Sequence, residues 1–156
     1  MCIVIDVNVL SMVFNEDNAR HADYSPVKKW IEDGKGFLVF GGSKYKKELG
    51  YRSIRLVNKM RDAGQAIAIN DSAVDRTEKK VRQLTDNTDC DDQHIIALLG
   101  AANCPLLCSF DSRSFEFIKN RGLYPDGVAQ VKIYKSSRNA DLLKKSDPKK
   151  LRNVVG

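Results

Sequence analysis

The sequence predicts an α/β layer fold with a mainly parallel sheet of about five strands. Two observations carry that expectation. Short runs rich in apolar and β-branched residues lie at 2–6 (CIVID), 37–40 (FLVF), 66–69 (AIAI), 106–110 (LLCSF) and 131–134 (VKIY). Segments of helical periodicity separate them. Strands joined through helices pair in parallel, and a parallel sheet is buried on both faces, so its strands read as continuous apolar runs.

Each element has a local reason. CIVID is a buried strand, and residues 8–14 follow as a short helix. Ser25 is placed to cap a helix over 26–33, with Pro26 at its first position, where a missing N–H costs nothing. FLVF is a strand closed by Gly41-Gly42. Ser43 can cap the helix that carries Glu48, and residues 51–63 read as a basic helix ending at Gly64. AIAI is a third strand. Asp71 or Ser72 opens a helix that runs to about Leu84. Residues 92–102 are nearly all apolar, which marks a buried helix. LLCSF is the fourth strand, 112–120 a helix and VKIY the fifth strand. Residues 1–135 form one domain, and the basic tail at 136–156 is a loosely docked segment or helix.

The composition excludes several classes. The chain has 156 residues, 42% hydrophobic and 29% charged, which suits one globular domain. No apolar run approaches the ~18 residues of a membrane helix, so no membrane partner is expected. The start, Met1-Cys2-Ile3-Val4-Ile5-Asp6, has no basic region before a long apolar one, so the expected compartment is the cytoplasm. Cys2, Cys90, Cys104 and Cys108 lack zinc-site spacing and read as small buried apolar residues. The net charge is +6. Basic residues concentrate in 138–156 and from Lys44 to Arg61, whereas Asp86, Asp89, Asp91 and Asp92 form an acidic patch without a base. Basic flanks about an acidic centre suit a polyanion held beside a cation.

In open parallel sheets, sites form beyond the carboxyl ends of the strands. Asp6 ends the first strand and Asp111 the fourth. Taken singly, each acid has an ordinary role: Asp6 and Asp111 as helix caps, Asp92 in a first helical turn, Glu48 as a solvated helical residue. Their joint order is more specific. An apolar strand ends in Asp6-Val7-Asn8. Lys47-Glu48-Leu49 lies in a helix after the second strand. Asp92 is followed by Ile95 and Ala97. Ser109-Phe110-Asp111 closes the fourth strand, with Phe115 beyond. Together these motifs, across residues 2–135, resemble the PIN-domain family.

The resemblance implies a three-layer α/β/α sandwich and a metal-dependent endoribonuclease. Asp6, Glu48, Asp92 and Asp111 would hold one or two Mg²⁺ or Mn²⁺ ions, and a metal-activated water would hydrolyse the phosphodiester to 5′-phosphate and 3′-hydroxyl ends. Asn8 and Ser109 would orient the acids, and Asp89 is a further candidate for the ion's surroundings, with Asp91 pointing elsewhere. His94 and His21 have no role in this scheme. Lys44, Lys46, Lys47, Arg52 and Arg55 would meet the backbone of single-stranded RNA, and Tyr45 and Tyr51 are either half-buried helix residues or stacking platforms. The VapC-type toxins of the family add two expected partners, an antitoxin protein and a second copy in a homodimer. The alternative is a catalytically silent PIN-fold module that binds RNA or protein. A phosphatase using Asp6 as nucleophile fits less well, because Asp6-Val7-Asn8 lacks the second Asp of the haloacid-dehalogenase pattern.

Overall fold

In the computed structural model, residues 1–144 are described. The expected basic tail therefore lies mostly outside the described residues. The five strands are β1 (Cys2–Ile5), β2 (Phe37–Gly41), β3 (Ala66–Ile69), β4 (Leu106–Cys108) and β5 (Lys132–Tyr134), each close to where its apolar run predicts it. All pair in parallel, in the order β3-β2-β1-β4-β5. The sheet is thus the expected α/β type, and wholly parallel.

Successive side chains of a strand point to opposite faces. Every residue of β1, β2 and β4 is nevertheless buried. Both faces must be covered, as a three-layer α/β/α arrangement requires. The cover comes from α1 (Leu10–Phe14), α2 (His21–Glu32), α3 (Ser43–Asp62), α4 (Asp71–Leu84), α5 (Gln93–Ala101) and α6 (Phe115–Ile118), joined by short 3₁₀ turns. Helix α1 packs on α2, and α4 on α5. All four cysteines are buried free thiols in or beside this core. No helix among the described residues is long and apolar enough to cross a membrane.

Two local expectations are corrected. Helix α2 begins at His21, so Pro26 stands inside it rather than at its start. The ring removes the N–H that would reach the Ala22 carbonyl. Ser25 compensates: its hydroxyl donates to that same carbonyl at 3.3 Å instead of capping a helix. Ser43 does not cap α3 either, because Gly42 holds that position at φ 89°. A Cβ there would stand 2.6 Å from Val74 Cγ1, so both the backbone angle and the close approach of α4 call for glycine. As the sequence suggests two helices here, α3 is broken at Gly50 (φ 70°, ψ 177°). The break separates the turns that carry Glu48 from the basic turns beyond Tyr51.

Topology places the site. From β1 the chain crosses to β2 on one side, and from β4 it crosses to β5 on the other. The carboxyl ends of β1 and β4 are therefore the switch point of the sheet, where crossovers leave in opposite directions and open a crevice. Asp6 follows β1 and Ser109 follows β4. The pairing continues past the strands, since the Asp6 N–H donates to Cys108 O at 3.0 Å.

Candidate active site

Asp6 begins a 3₁₀ turn over Val7–Val9 and is held at both carboxylate oxygens. The Asn8 N–H donates to Oδ1 at 3.2 Å and the Ser109 hydroxyl donates to Oδ2 at 3.1 Å. The expected orienting role of Ser109 is present in the geometry. That of Asn8 comes from its backbone, while its side chain is exposed. Burial pushes the Asp6 carboxyl above the ordinary aspartate range, and the nearby charge of Asp92 pushes the same way against the two hydrogen bonds and His94.

Asp92 occupies the N-cap position of α5, one residue before the turn predicted for it, yet its side chain makes no capping bond. Its carboxylate turns instead to Ser114, whose hydroxyl donates to Oδ2. Ser114 is buried at the end of the turn that follows Asp111. The cap position belongs to Asp92, and Asp89 lies three residues before it. Asp89 and Asp91 are exposed. With Asp92, Arg113, Ser114 and Glu116 they line a cavity of about 330 Å³.

Glu48 meets an unforeseen partner. Its Oε2 lies 2.9 Å from His94 Nε2, across 46 residues of sequence. His94 is only 3% exposed, so it is neither a surface residue nor a bystander in packing. Its Nδ1 has no partner among the described residues. With Nε2 donating to a carboxylate, the neutral ring leaves Nδ1 an acceptor without a donor, an arrangement that is disfavoured in a dry interior. Tyr45 lies near both Asp6 and Glu48. Its ring is fully buried and its hydroxyl donates to Ile5 O at 2.6 Å. Burial, then the charges of Asp6, Cys108 and Glu48, raise its hydroxyl far above the usual tyrosine range. A tyrosine so enclosed cannot stack on a base.

Asp111 is placed differently. Arg113 donates to it from Nε at 3.2 Å, from its second guanidinium nitrogen at 3.3 Å and from its backbone N–H at 3.3 Å. That guanidinium holds the Asp111 carboxyl below the usual range. The Asp111 N–H reaches the Ser109 hydroxyl at 3.4 Å, so Ser109 bridges the two strand exits.

The four acids therefore gather around one rim, but in two states. Asp6 and Asp92 interact as like charges, and among the described residues neither forms an ion pair within 4.0 Å. Glu48 is tied to His94 and Asp111 to Arg113. Among the described residues, no three His, Cys, Asp or Glu side chains are grouped to hold one ion, so the expected four-carboxylate ligand shell is not assembled. The links of Ser109 to Asp6 and to Asp111 join residues of the sequence motifs. No motif marks His94, Ser114 and Arg113, because their roles arise only where distant segments meet.

The predicted basic surface is mixed. Lys46 is committed to Asp71 at 2.9 Å and is not free for phosphate. Lys44 is half-buried. Lys47, Arg52 and Arg55 are exposed, and the Arg55 guanidinium lies 5.6 Å over the ring of Tyr51, itself 75% exposed. His21 is spent on a structural contact with Met12 O at 3.0 Å. Scans of the chain against family models and against curated proteins found no match.

Proposed function

We propose that the chain is a PIN-type endoribonuclease dependent on Mg²⁺ or Mn²⁺. One observation carries the reading: Asp6 and Asp92 lie near enough to repel at the switch point of a parallel sheet, and among the described residues neither has an ion-paired cation. Enzymes keep such an unfavourable pair where chemistry uses it.

The donor chemistry fits a hard divalent cation. Mg²⁺ commonly takes one or two carboxylates and fills its remaining positions with water and substrate phosphate. Asp6 and Asp92 would supply those two carboxylates. Once bound, the ion lowers the pKa of a water and offsets charge on the scissile phosphate.

The residues of the chain do the rest. Ser109 and the Asn8 N–H fix the plane of the Asp6 carboxylate, and Ser114 fixes that of Asp92. Glu48 is oriented by His94 yet keeps 41% of its side chain exposed, so it accepts a proton from the attacking water. The water oxygen bonds to phosphorus, the bond from phosphorus to the 3′ oxygen breaks, and that oxygen takes a proton from solvent water while Glu48 returns its proton to solvent. The products are a 5′-phosphate and a 3′-hydroxyl. Arg113, with its side chain 84% exposed, exchanges Asp111 for a phosphate oxygen of the incoming strand.

The test is cleavage of single-stranded RNA with Mn²⁺ by the native chain and by Asp6→Asn. The expected loss is at least about 100-fold, as for removal of one electrostatic partner of a transition state. Equal rates for both proteins would refute the enzyme reading and favour a binding module.

A further inference from the structure

We propose that Phe110 and Arg20 form a stacking subsite for one base of a single-stranded RNA, at the mouth of the acidic site. This assignment rests on the nuclease reading above. Phe110 is 42% exposed, one of only three large apolar side chains so placed among the described residues. Exposing an aromatic ring forfeits the burial that normally holds it inside. Its two chain neighbours are both site residues. Ser109 donates to Asp6 at 3.1 Å, and Asp111 closes the same rim. Adjacent Cα atoms lie about 3.8 Å apart, so the Phe110 backbone lies next to the reacting centre.

Arg20, just before α2, places its guanidinium carbon 4.8 Å from the centroid of the Phe110 ring. Among the described residues Arg20 has no carboxylate within 4.0 Å. Its charge is therefore directed at the ring and at solvent. A flat π face with a cation laid over it matches the two halves of a nucleotide. The base offers a π face to Phe110, and the phosphodiester offers an anion to Arg20. Neither Tyr45, which is buried, nor Tyr51, on the basic turns of α3, occupies this place. Stacking of this kind tolerates any base, so the subsite sets the register of the strand and does not read its sequence.

Binding by the full-length chain carrying Asp6→Asn, which prevents cleavage, tests the subsite. The probes are short single-stranded oligoribonucleotides with 2-aminopurine moved one position at a time, and matched oligomers that are abasic at the same position. One 2-aminopurine position is expected to show quenched fluorescence on binding. Adding Phe110→Leu removes the quenching and weakens that oligomer about tenfold, Phe110→Trp preserves both, and Arg20→Ala weakens binding as well. The abasic oligomer binds equally with Phe110 or Leu at that position. Unchanged affinity and quenching with Phe110→Leu, or no saturable binding of the base-bearing oligomers, overturns the subsite. The nuclease reading fails on a separate result, equal Mn²⁺-dependent cleavage by the native chain and Asp6→Asn.

Discussion

Two strand exits of the same sheet carry aspartates and treat them oppositely. Beyond β2, Asp71 reaches over from the start of α4 and accepts from the Gly42 N–H at 3.0 Å and from Lys46 Nζ at 2.9 Å. Beside it, Asp75 accepts from the Ser43 N–H at 2.9 Å and the Ser43 hydroxyl at 2.6 Å. These are carboxylates at the N-terminus of α3, where free N–H groups and the helix dipole favour negative charge. Burial pushes the Asp71 carboxyl up, but Lys46 and Gly42 outweigh it, and the balance lies below the ordinary range. Beyond β1 and β4, Asp6 lies above that range because it is buried beside Asp92. An acid at a strand end is thus held by donors or left near a like charge according to its partners, and residue type alone does not distinguish the two.

That contrast can be broken most directly by activity. Asp92→Asn should lower Mn²⁺-dependent RNA cleavage by at least about 100-fold, whereas Asp75→Asn at the β2 exit should leave it within about twofold. Comparable losses at the two exits, in a single-turnover assay, would erase the distinction.

Metal linkage is expected next in size. A cation that binds only the folded chain stabilises it by about 2.7 kcal/mol at one hundred times its Kd. For a chain of this length that raises Tm by roughly 5–10 °C. Calorimetry with and without Mn²⁺ should show this in the native chain and a much smaller rise in Asp92→Asn. Asp75→Asn should retain the full rise.

Stability without metal should separate the exits in the other direction. Asp75→Ala removes two bonds at the start of α3 and should cost about 1–2 kcal/mol, as loss of a cap does. The measurement is a urea denaturation curve, and an unchanged midpoint would contradict the role assigned to Asp75.

The smallest effect is the most diagnostic. A raised folded-state pKa means that the folded chain holds the Asp6 proton more tightly than the unfolded chain does. Unfolding free energy therefore falls as pH rises from the ordinary value of 3.8 through the raised one. Above that window the ionised carboxylate is a net cost to the fold. Asp6→Asn should thus raise Tm slightly at pH 7 and flatten the pH dependence above 3.8. Asp71 runs the opposite way: its contribution is present above its unfolded pKa and is lost as pH falls through the depressed folded one. A drop in Tm at pH 7 for Asp6→Asn would show that Asp6 is a structural cap like its counterparts at β2.

Much of this was legible in the chain itself. Each apolar run became a strand, and Asp6 and Asp111 stand at strand exits as their positions implied. Helix boundaries were less legible. Pro26 sits inside α2 because one Ser25 hydroxyl replaces the lost donor, an exchange that helix-start rules do not anticipate. Lys46 looked like a phosphate contact until Asp71, 25 positions away, claimed it. His94 has no role that its own sequence position implies, yet its ring meets Glu48.

The sequence by itself determined the layer architecture and put acids at the carboxyl ends of strands, because hydrophobic periodicity and covalent adjacency act over a few residues. Only the tertiary structure decided which acids are paired with a cation and which are left near a like charge. It alone brought Ser114 to Asp92, His94 to Glu48 and Arg20 over Phe110. Those pairings depend on how distant segments pack, and the free energy of a charge is set by what stands within a few ångströms of it.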